Sequence, residues 1–308
     1  MASILLVVRR CWVGKMPELP EVETVRRGLE ALVIGKKIVQ VSHDTPKSFP
    51  NAESDTRQFL VAATIVAIRR RAKVLLIDLN TKYTLVVHLK MTGQLVYRGE
   101  QVFGAGHPND SLVGELPDRS TRVDITFDDG SHLYYNDQRK FGWMKLYPTV
   151  EVPNIDFMKK VGPEPLEDVF TSKEFIPRVR RRSNTTIKAA ILDQTVLAGV
   201  GNIYADESLW GAKIHPATRV RELTDEQLTL LLHEIKYVMN LSIEKGGSTD
   251  RNYVNAEGKR GSYIDFARVF RREGQSCPRC DTIIKKTRVA GRGTHVCPRC
   301  QQEHGDIA

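Results

Sequence analysis

Nowhere in the 308 residues is there an apolar run near the roughly 18 residues that a membrane-spanning helix requires, and a helical membrane protein is excluded. A secretory signal is missing as well. The opening segment has one short apolar run, residues 4–8, followed by Arg9 and Arg10, whereas a signal peptide places its positive charges first. Cysteine is scarce: Cys11 stands alone, and the other four lie beyond position 276. Most of the chain therefore has to fold by burying apolar surface, and 41% hydrophobic with 27% charged residues suits a soluble globular protein. Acid is also in short supply, with 37 Asp and Glu against 46 Lys and Arg, a net charge of +9. An anionic partner follows, nucleic acid first. Residues 1–15 contribute only Arg9, Arg10 and Lys15 to that excess, so the basic bias survives without them.

The chain is too long for one ordinary core, and two or three domains are expected. Residues 22–33 place Val22, Val25, Leu29 and Leu32 on one helical face, with Gly35 as the stop. Runs of β character follow at 38–41, 61–68, 74–79, 84–89, 95–97, 123–127, 132–135 and 143–147, separated by turn signals such as Asp129-Gly130. One long helix with short strands predicts a β-sandwich. Between Pro148 and Pro165 the strand pattern gives way to helical pattern. A run of arginines, Arg178, Arg180, Arg181 and Arg182, precedes a helix opening near Thr185. The turn Ala198-Gly199-Val200-Gly201-Asn202 leads to a second helix over 203–214. Its glycines let a backbone approach closely, and N–H groups at a helix start suit a phosphate, although a glycine C-cap followed by an Asn N-cap reads equally well. Thr224 and Gln227 form a capping box for a third helix, whose Leu228, Leu231, Leu232, Ile235, Val238 and Met239 face inward until Gly246-Gly247. Residues 248–266, with Tyr253, Gly258, Gly261 and Tyr263, read as a long functional or disordered loop.

Two stretches carry chemistry. Cys277, Cys280, Cys297 and Cys300 form two C-x-x-C knuckles at a spacing that supplies four thiolates for one tetrahedral zinc; two disulfides are the other pairing. Four cysteines leave no open coordination position, so such a zinc is structural. A hairpin with its tip at Gly291-Arg292-Gly293 lies between the knuckles, and the metal is expected to hold this ribbon together. The second stretch is Met16-Pro17-Glu18-Leu19-Pro20-Glu21. It suits a helix start, with Pro early and acids in the first turn. It also suits a protein's own beginning. Removal of an initiator Met before Pro would free the Pro17 amine, whose reference pKa of about 7.7–8.0 leaves part of it unprotonated near neutrality. Attack on an aldehyde-like carbon would give an iminium with no N–H to lose, a persistent electron sink. Glu18 could transfer a proton in the same step. Residues 1–15 then read as a start assigned too far upstream, or as a weak targeting peptide.

Taken in register, the start at Pro17–Glu23, the turn Val200-Gly201-Asn202-Ile203-Tyr204-Ala205 and the ribbon with Gly291-Arg292-Gly293-Thr294 resemble the bacterial formamidopyrimidine-DNA glycosylases. The resemblance runs from Met16 to about Gln301. It implies an α+β multidomain protein: an extension over 1–16 absent from the mature enzyme, a catalytic β-sandwich over 17–149, a linker over 150–165, a helix-two-turn-helix domain over 166–247, a lesion-capping loop over 248–266, a zinc ribbon over 267–301 and a tail over 302–308. It further implies a monomeric cytoplasmic enzyme of base-excision repair, holding one Zn2+ and acting on double-stranded DNA with an oxidised purine or an abasic site. In that family's chemistry Pro17 would attack C1′ and Glu18 would donate a proton during base loss. Lys73 matches the lysine assigned to β-elimination, and Arg292 the arginine assigned to δ-elimination. Met91, Arg139 and Phe141 match the residues that fill the gap left by an everted base, and Lys188 and Asn202 match phosphate contacts. Departures from the pattern are Gln138-Arg139-Lys140 for Pro-Arg-Arg, Arg119-Ser120-Thr121-Arg122 where histidines are usual, and Ser183 at a basic position. An endonuclease VIII-like glycosylase for oxidised pyrimidines is the enzymatic rival. That family usually has Gly in place of Leu19 and lacks the Met, Arg, Phe set. A non-catalytic DNA-binding protein is the other rival, should residues 1–16 stay attached.

Overall fold

The computed structural model describes residues 17–107, 109–248 and 263–302, so the expected extension, residues 249–262 of the expected capping loop and residues 303–308 of the tail lie outside the described residues. Helix α1 (Leu19–Val33) starts the fold and belongs to two cores at once. Leu19 is buried with the helical domain, whereas Val22, Val25, Leu29, Leu32 and Val33 pack into the sandwich. Gly35, at φ +85°, then turns the chain out of the helix.

The sandwich comprises β1 (Ile38–His43), β2 (Ile65–Arg71), β3 (Val74–Leu79), β4 (Tyr83–His88), β5 (Gly93–Arg98), β6 (Val102–Gly106), β7 (Thr121–Phe127), β8 (His132–Asp137) and β9 (Trp143–Pro148), with a single-turn helix α2 (Glu53–Asp55) after β1. All pairings are antiparallel, in two sheets ordered β1-β7-β8-β5-β6 and β2-β3-β4-β9. Ile65, Ile68, Leu75, Ile77, Leu85 and Val87 of one sheet face Leu95, Val123, Ile125, Leu133 and Tyr135 of the other, with α1 across them. Each buried aliphatic of this kind is worth about 1.5–3 kcal/mol. The outer face of β3 and β4 is covered too. Val74, Leu76 and Val86 pack against Val152 and Phe157, near and on α3 (Asp156–Lys160), which is why β3 reads as an almost unbroken apolar run.

Two strand expectations need correction. The run expected at 61–68 begins at Ile65, because residues 61–62 form a turn in which Ala62, at φ 66°, donates to the Ile38 carbonyl, and Thr64 makes only an isolated bridge to Lys37. Strand β6 was not expected: its Val-Phe-Gly-Ala-Gly sequence has no clean alternation, yet it pairs with Gln94–Arg98 of β5.

The helical domain holds α4 (Ser172–Arg180), α5 (Ile187–Leu192), α6 (Asn202–Gly211) and α7 (Asp225–Glu244), followed by the short α8 (Tyr263–Phe266). The capping box that opens α7 is present, with Gln227 N donating to Thr224 Oγ1 at 3.2 Å and Thr224 N to Gln227 Oε1 at 2.9 Å. Helix α6 stops at Gly211, short of the expected Ile214. Not all of the arginine run is a solvated face: Arg180 donates to the Val220 and Leu223 carbonyls and so ties α4 to the start of α7.

The ribbon's strands are β10 (Lys285–Val289) and β11 (Arg292–Val296). Ala290 and Gly291 both sit at positive φ, 50° and 75°, as a two-residue type I′ hairpin turn requires. The tip is thus Ala290-Gly291, and Arg292 opens the return strand opposite Val289. The ribbon also has a small core: Trp210 of α6 packs against Val269, Ile284, Cys277 and Cys297. No helix among the described residues is long and apolar enough to cross a membrane.

Candidate active site at the domain seam

Because α1 is shared by two cores, its N-terminus lies at the seam between them. Pro17 is buried there, immediately before Glu18, the N-cap of α1. Glu18 N donates to Glu21 Oε2 at 2.8 Å, and Leu19 N to the Gly199 carbonyl at 3.1 Å. The Glu18 carboxyl lies flat against the turn before α6. Ile203 N approaches Glu18 Oε1 at 3.4 Å, and a Cβ on Gly201 would overlap the carboxyl carbon itself. Gly201 is needed for that close approach.

Lys73 reaches the same turn from the opposite side. With Ala72 it forms the two-residue tip of the β2–β3 hairpin, since Arg71 still pairs with Val74. Its Nζ is buried and donates to the Val200 carbonyl at 3.1 Å. Burial pushes the ammonium below the usual lysine range; Glu18 and Glu21 oppose that shift, and Arg292 adds to it. The hairpin tip is clamped from the linker. Glu164 accepts Arg70 Nη1 at 2.8 Å, Arg71 Nη1 at 3.1 Å and the Ala72 N–H.

Arg292 is exposed at the ribbon tip, close enough to act electrostatically on both Lys73 and Lys188. Asn202 Nδ2 donates to the Gly293 carbonyl at 2.9 Å, which docks that tip on the N-terminus of α6. Lys188 is fully buried, and its three donor directions go to Asp206 Oδ1 (2.6 Å), Thr294 Oγ1 (2.7 Å) and Gly293 O (3.1 Å). It therefore fastens α5 and α6 to the ribbon.

The expected gap-filling residues converge on a second exposed point. Arg139 Nη1 lies 3.4 Å from Met91 Sδ, and its guanidinium sits 4.7 Å over the Phe141 ring, which is 47% exposed. His88, at the base of the Met91 loop, is held neutral, its pKa pushed down to about 3 by burial and then by Lys90 and Lys73. Its Nδ1 accepts the Lys90 N–H at 3.1 Å.

The four ribbon cysteines bring their Sγ atoms within 4.8 Å of one another. The Cys280–Cys297 and Cys277–Cys300 separations of 3.4 and 3.9 Å are far too long for disulfides, which need about 2.05 Å. They match the edges of a tetrahedron of thiolates around zinc with Zn–S near 2.3 Å. Trp210 Nε1 also donates to Cys277 Sγ at 3.4 Å, a hydrogen bond suited to a thiolate ligand. The donor set fits one structural zinc and leaves no coordination position open.

Models of three domain families match in the order of the fold. They are the formamidopyrimidine-DNA glycosylase N-terminal domain over residues 16–144, the H2TH domain of the same enzymes over 161–253, and a zinc finger found in FPG and IleRS over 274–302. The formamidopyrimidine-DNA glycosylase of Pelotomaculum thermopropionicum is 41% identical over 288 residues, 93% of this chain and 99% of that protein. The one from Pediococcus pentosaceus is 44% identical over 287 residues, with the same coverage. The chain belongs to the formamidopyrimidine-DNA glycosylase family. Its fold follows that of Lactococcus lactis Fpg solved with DNA containing an abasic site, with a TM-score of 0.82 at 35% identity over 93% of this chain and all of that one. A MutM structure with DNA containing carbocyclic 8-oxo-G is similar at TM-score 0.80 and 36% identity, with the same coverage.

Within this family frame the departure at Arg119-Ser120-Thr121-Arg122 has a structural explanation. Arg122 is buried and donates to the Asp137 carbonyl (2.8 Å), the Arg119 carbonyl (2.6 Å) and the Asp44 carboxylate. Ser120 is buried beside Asp118 and Ser111. This stretch thus forms an internal network rather than a solvent-facing one. Lys140 reaches Asp44 at 3.4 Å, and Ser183 N closes a turn onto the Arg180 carbonyl at 3.1 Å.

The sequence reading did not single out the buried carboxylates that position these parts: Glu21, Asp137, Glu164, Asp206 and Glu207. Glu21 accepts Tyr204 Oη at 2.6 Å and Ser248 N at 2.9 Å. Tyr263 N in turn donates to the Gly247 carbonyl at 3.2 Å, so Ser248 and Tyr263 both lie beside α1. Glu207 accepts the N–H groups of Arg268, Val269 and Phe270 at 2.7–2.9 Å and anchors the chain as it enters the ribbon. A single charged residue in a polar stretch looks solvated until the donors around it are known.

Proposed function

We propose that this protein excises oxidised purines, 8-oxoguanine and formamidopyrimidines, from double-stranded DNA and then cuts the strand by β,δ-elimination, with the Pro17 nitrogen as nucleophile. The observation that carries the reading is the convergence of Glu18, Lys73 and Arg292 on the turn Val200-Gly201-Asn202 next to Pro17, in a chain of this family. Pro17 N bonds to C1′ as the C1′–base bond breaks, and Glu18 supplies the proton. The Pro17 N–H proton then passes to O4′ as the C1′–O4′ bond opens, and the resulting iminium acidifies C2′. A base takes that proton and the 3′ phosphate leaves; loss of a C4′ proton then expels the 5′ phosphate. Lys73, shifted toward its neutral form by burial, suits the first proton transfer, and Arg292 suits charge stabilisation at the second departing phosphate. Met91, Arg139 and Phe141 fill the vacated stack, and Arg139 has donors for the orphaned cytosine. Asn202, at the start of α6, and Lys188, through the ribbon it fastens, serve the phosphate backbone. Residues 248–266 take the lesion-capping role that the family resemblance implies. The enzyme works as a cytoplasmic monomer on the chromosome.

The reading requires a basic nitrogen at Pro17, hence a chain without residues 1–16. Borohydride trapping on duplex DNA containing 8-oxoguanine tests it, comparing forms begun at Met1 and at Met16. A covalent adduct with the Met16 form, and N-terminal sequencing that reads Pro-Glu-Leu, is the expected result. An adduct with neither form refutes the proposal.

A further inference from the structure

We propose that Asp137 is a positioning residue that locks the two gap-filling loops to each other, and thereby sets excision from duplex DNA and the preference for the base opposite the lesion. The inference rests on reading Met91, Arg139 and Phe141 as the residues that fill the vacated stack.

Asp137 ends β8 and pairs with Gly93, the first residue of β5. The loop bearing Met91 therefore enters the sheet beside the point where the loop bearing Arg139 and Phe141 leaves it. Asp137 is completely buried between them. Its Oδ1 accepts the Thr92 hydroxyl and Arg139 N (3.2 Å), and its Oδ2 accepts Phe141 N (2.8 Å) and Gly142 N (2.7 Å). One carboxylate thus holds the residue after Met91 and the backbone of both other gap-filling residues. The Thr92 hydroxyl adds a cross-link by accepting the same Arg139 N–H at 3.2 Å.

Each loop also carries a lysine in the left-handed region, Lys90 at φ 50° and Lys140 at φ 55°, a conformation that a long side chain avoids unless its surroundings impose it. Arg139 and Phe141 are exposed and Met91 is half-buried; Arg139 leans on Met91 and on Phe141, and Lys47 Nζ lies 5.7 Å from the Phe141 ring centre. Their direction is therefore set from behind, through the backbone that Asp137 grips. All four partners are donors, so both oxygens must accept. A carboxylate can do that. An amide of the same shape turns one acceptor into an N–H facing another N–H.

The test compares single-turnover rates on two substrates for wild type and Asp137→Asn. Excision of 8-oxoguanine opposite cytosine in a duplex needs eversion and gap filling, whereas strand cleavage at an abasic site in single-stranded DNA has no stack to fill. The ratio of the first rate to the second is expected to fall about tenfold, the worth of one hydrogen bond to a charged group. Discrimination between cytosine and adenine opposite the lesion should narrow by several-fold. Thr92→Val removes only the hydroxyl link to the Met91 loop and should shift the ratio the same way by about threefold, which keeps the test usable if the first variant folds poorly. Parallel loss on both substrates, as from a general structural role, or an unchanged ratio overturns the proposal. Wild-type protein that leaves 8-oxoguanine in duplex DNA removes instead the functional reading on which it rests.

Discussion

Replacing Asp206 with leucine leaves the Lys188 ammonium buried without its counter-charge. Both side chains are 0% exposed and lie 2.6 Å apart. At an effective dielectric of 20 their attraction is about 6 kcal/mol, comparable with the several kcal/mol lost by each ion on leaving water. The intact pair therefore adds little net stability, while removing one partner costs about 3–5 kcal/mol. For Asp206→Leu the lower end applies, because Lys188 Nζ keeps Thr294 Oγ1 and the Gly293 carbonyl. For Lys188→Met, Asp206 Oδ2 keeps His295 N at 2.9 Å and His295 Nδ1 at 3.1 Å. Lys188→Met/Asp206→Leu removes both charges and should cost only about 1–2 kcal/mol, well below the sum of the single changes. Urea titration of the zinc-loaded protein closes the cycle.

The pH dependence has a definite sign. Burial holds Lys188 below the usual lysine range and Asp206 opposes that shift, so the leucine variant lowers the folded value further. A lysine depressed in the folded state costs stability in full below its folded pKa, and the cost fades as pH rises toward the unfolded value of about 10.4. The deficit of Asp206→Leu relative to wild type should therefore shrink as pH rises toward about 10. Additive single costs, or a deficit that grows with pH, would refute the reasoning.

Stripping zinc with a strong chelator, or Cys297→Ser, should release one equivalent of metal and unfold the ribbon, changing the Trp210 fluorescence because its indole donates to Cys277. Arg292 would be lost with the ribbon, so products should stop at β-elimination on a denaturing gel. Gly201→Ala forces the Glu18 carboxyl from its seat and should slow 8-oxoguanine release at least tenfold while leaving thermal unfolding within a few degrees of wild type, followed by base release and circular dichroism. Because burial lowers Lys73 and the step needs its neutral form, the rising, low-pH limb of the strand-cleavage profile should lie below the ordinary lysine range; Lys73→Arg, which cannot be deprotonated, should slow strand cleavage and erase that limb in single-turnover assays.

Elements with strong local grammar were legible before any coordinates. The heptad-like spacing in α7 with its Thr224–Gln227 box, the apolar face of α1 and the two cysteine knuckles each carry their physics within a few residues. Strand β6 was not legible, since two glycines and an alanine in five residues say nothing about a partner strand. The buried carboxylates failed for a different reason. Asp137 and Glu207 are each satisfied by several backbone N–H groups, and a backbone donor leaves no trace in residue identity. The same blindness affects Lys188. The family resemblance implies a phosphate contact there, whereas Asp206 and Thr294, which enclose it, come from α6 and β11.

The positions that converge at the seam come from three separate parts of the chain, and each meets the same four-residue turn. Glu18 leans on Gly201 and Ile203 from the start of α1, Lys73 donates to the Val200 carbonyl from the β2–β3 hairpin, and Asn202 holds the Gly293 carbonyl beside Arg292. The turn belongs to the helical domain, the lysine to the sandwich and the arginine to the ribbon. None of the three side chains is placed by its own domain alone. The linker clamp at Glu164 therefore matters as much to Lys73 as the zinc does to Arg292: each is the far anchor of a lever whose near end rests on residues 200–203. A fold arranged this way couples chemistry to docking. Loosening any one of the three contacts should disturb a single chemical step, because the other two levers keep their own anchors.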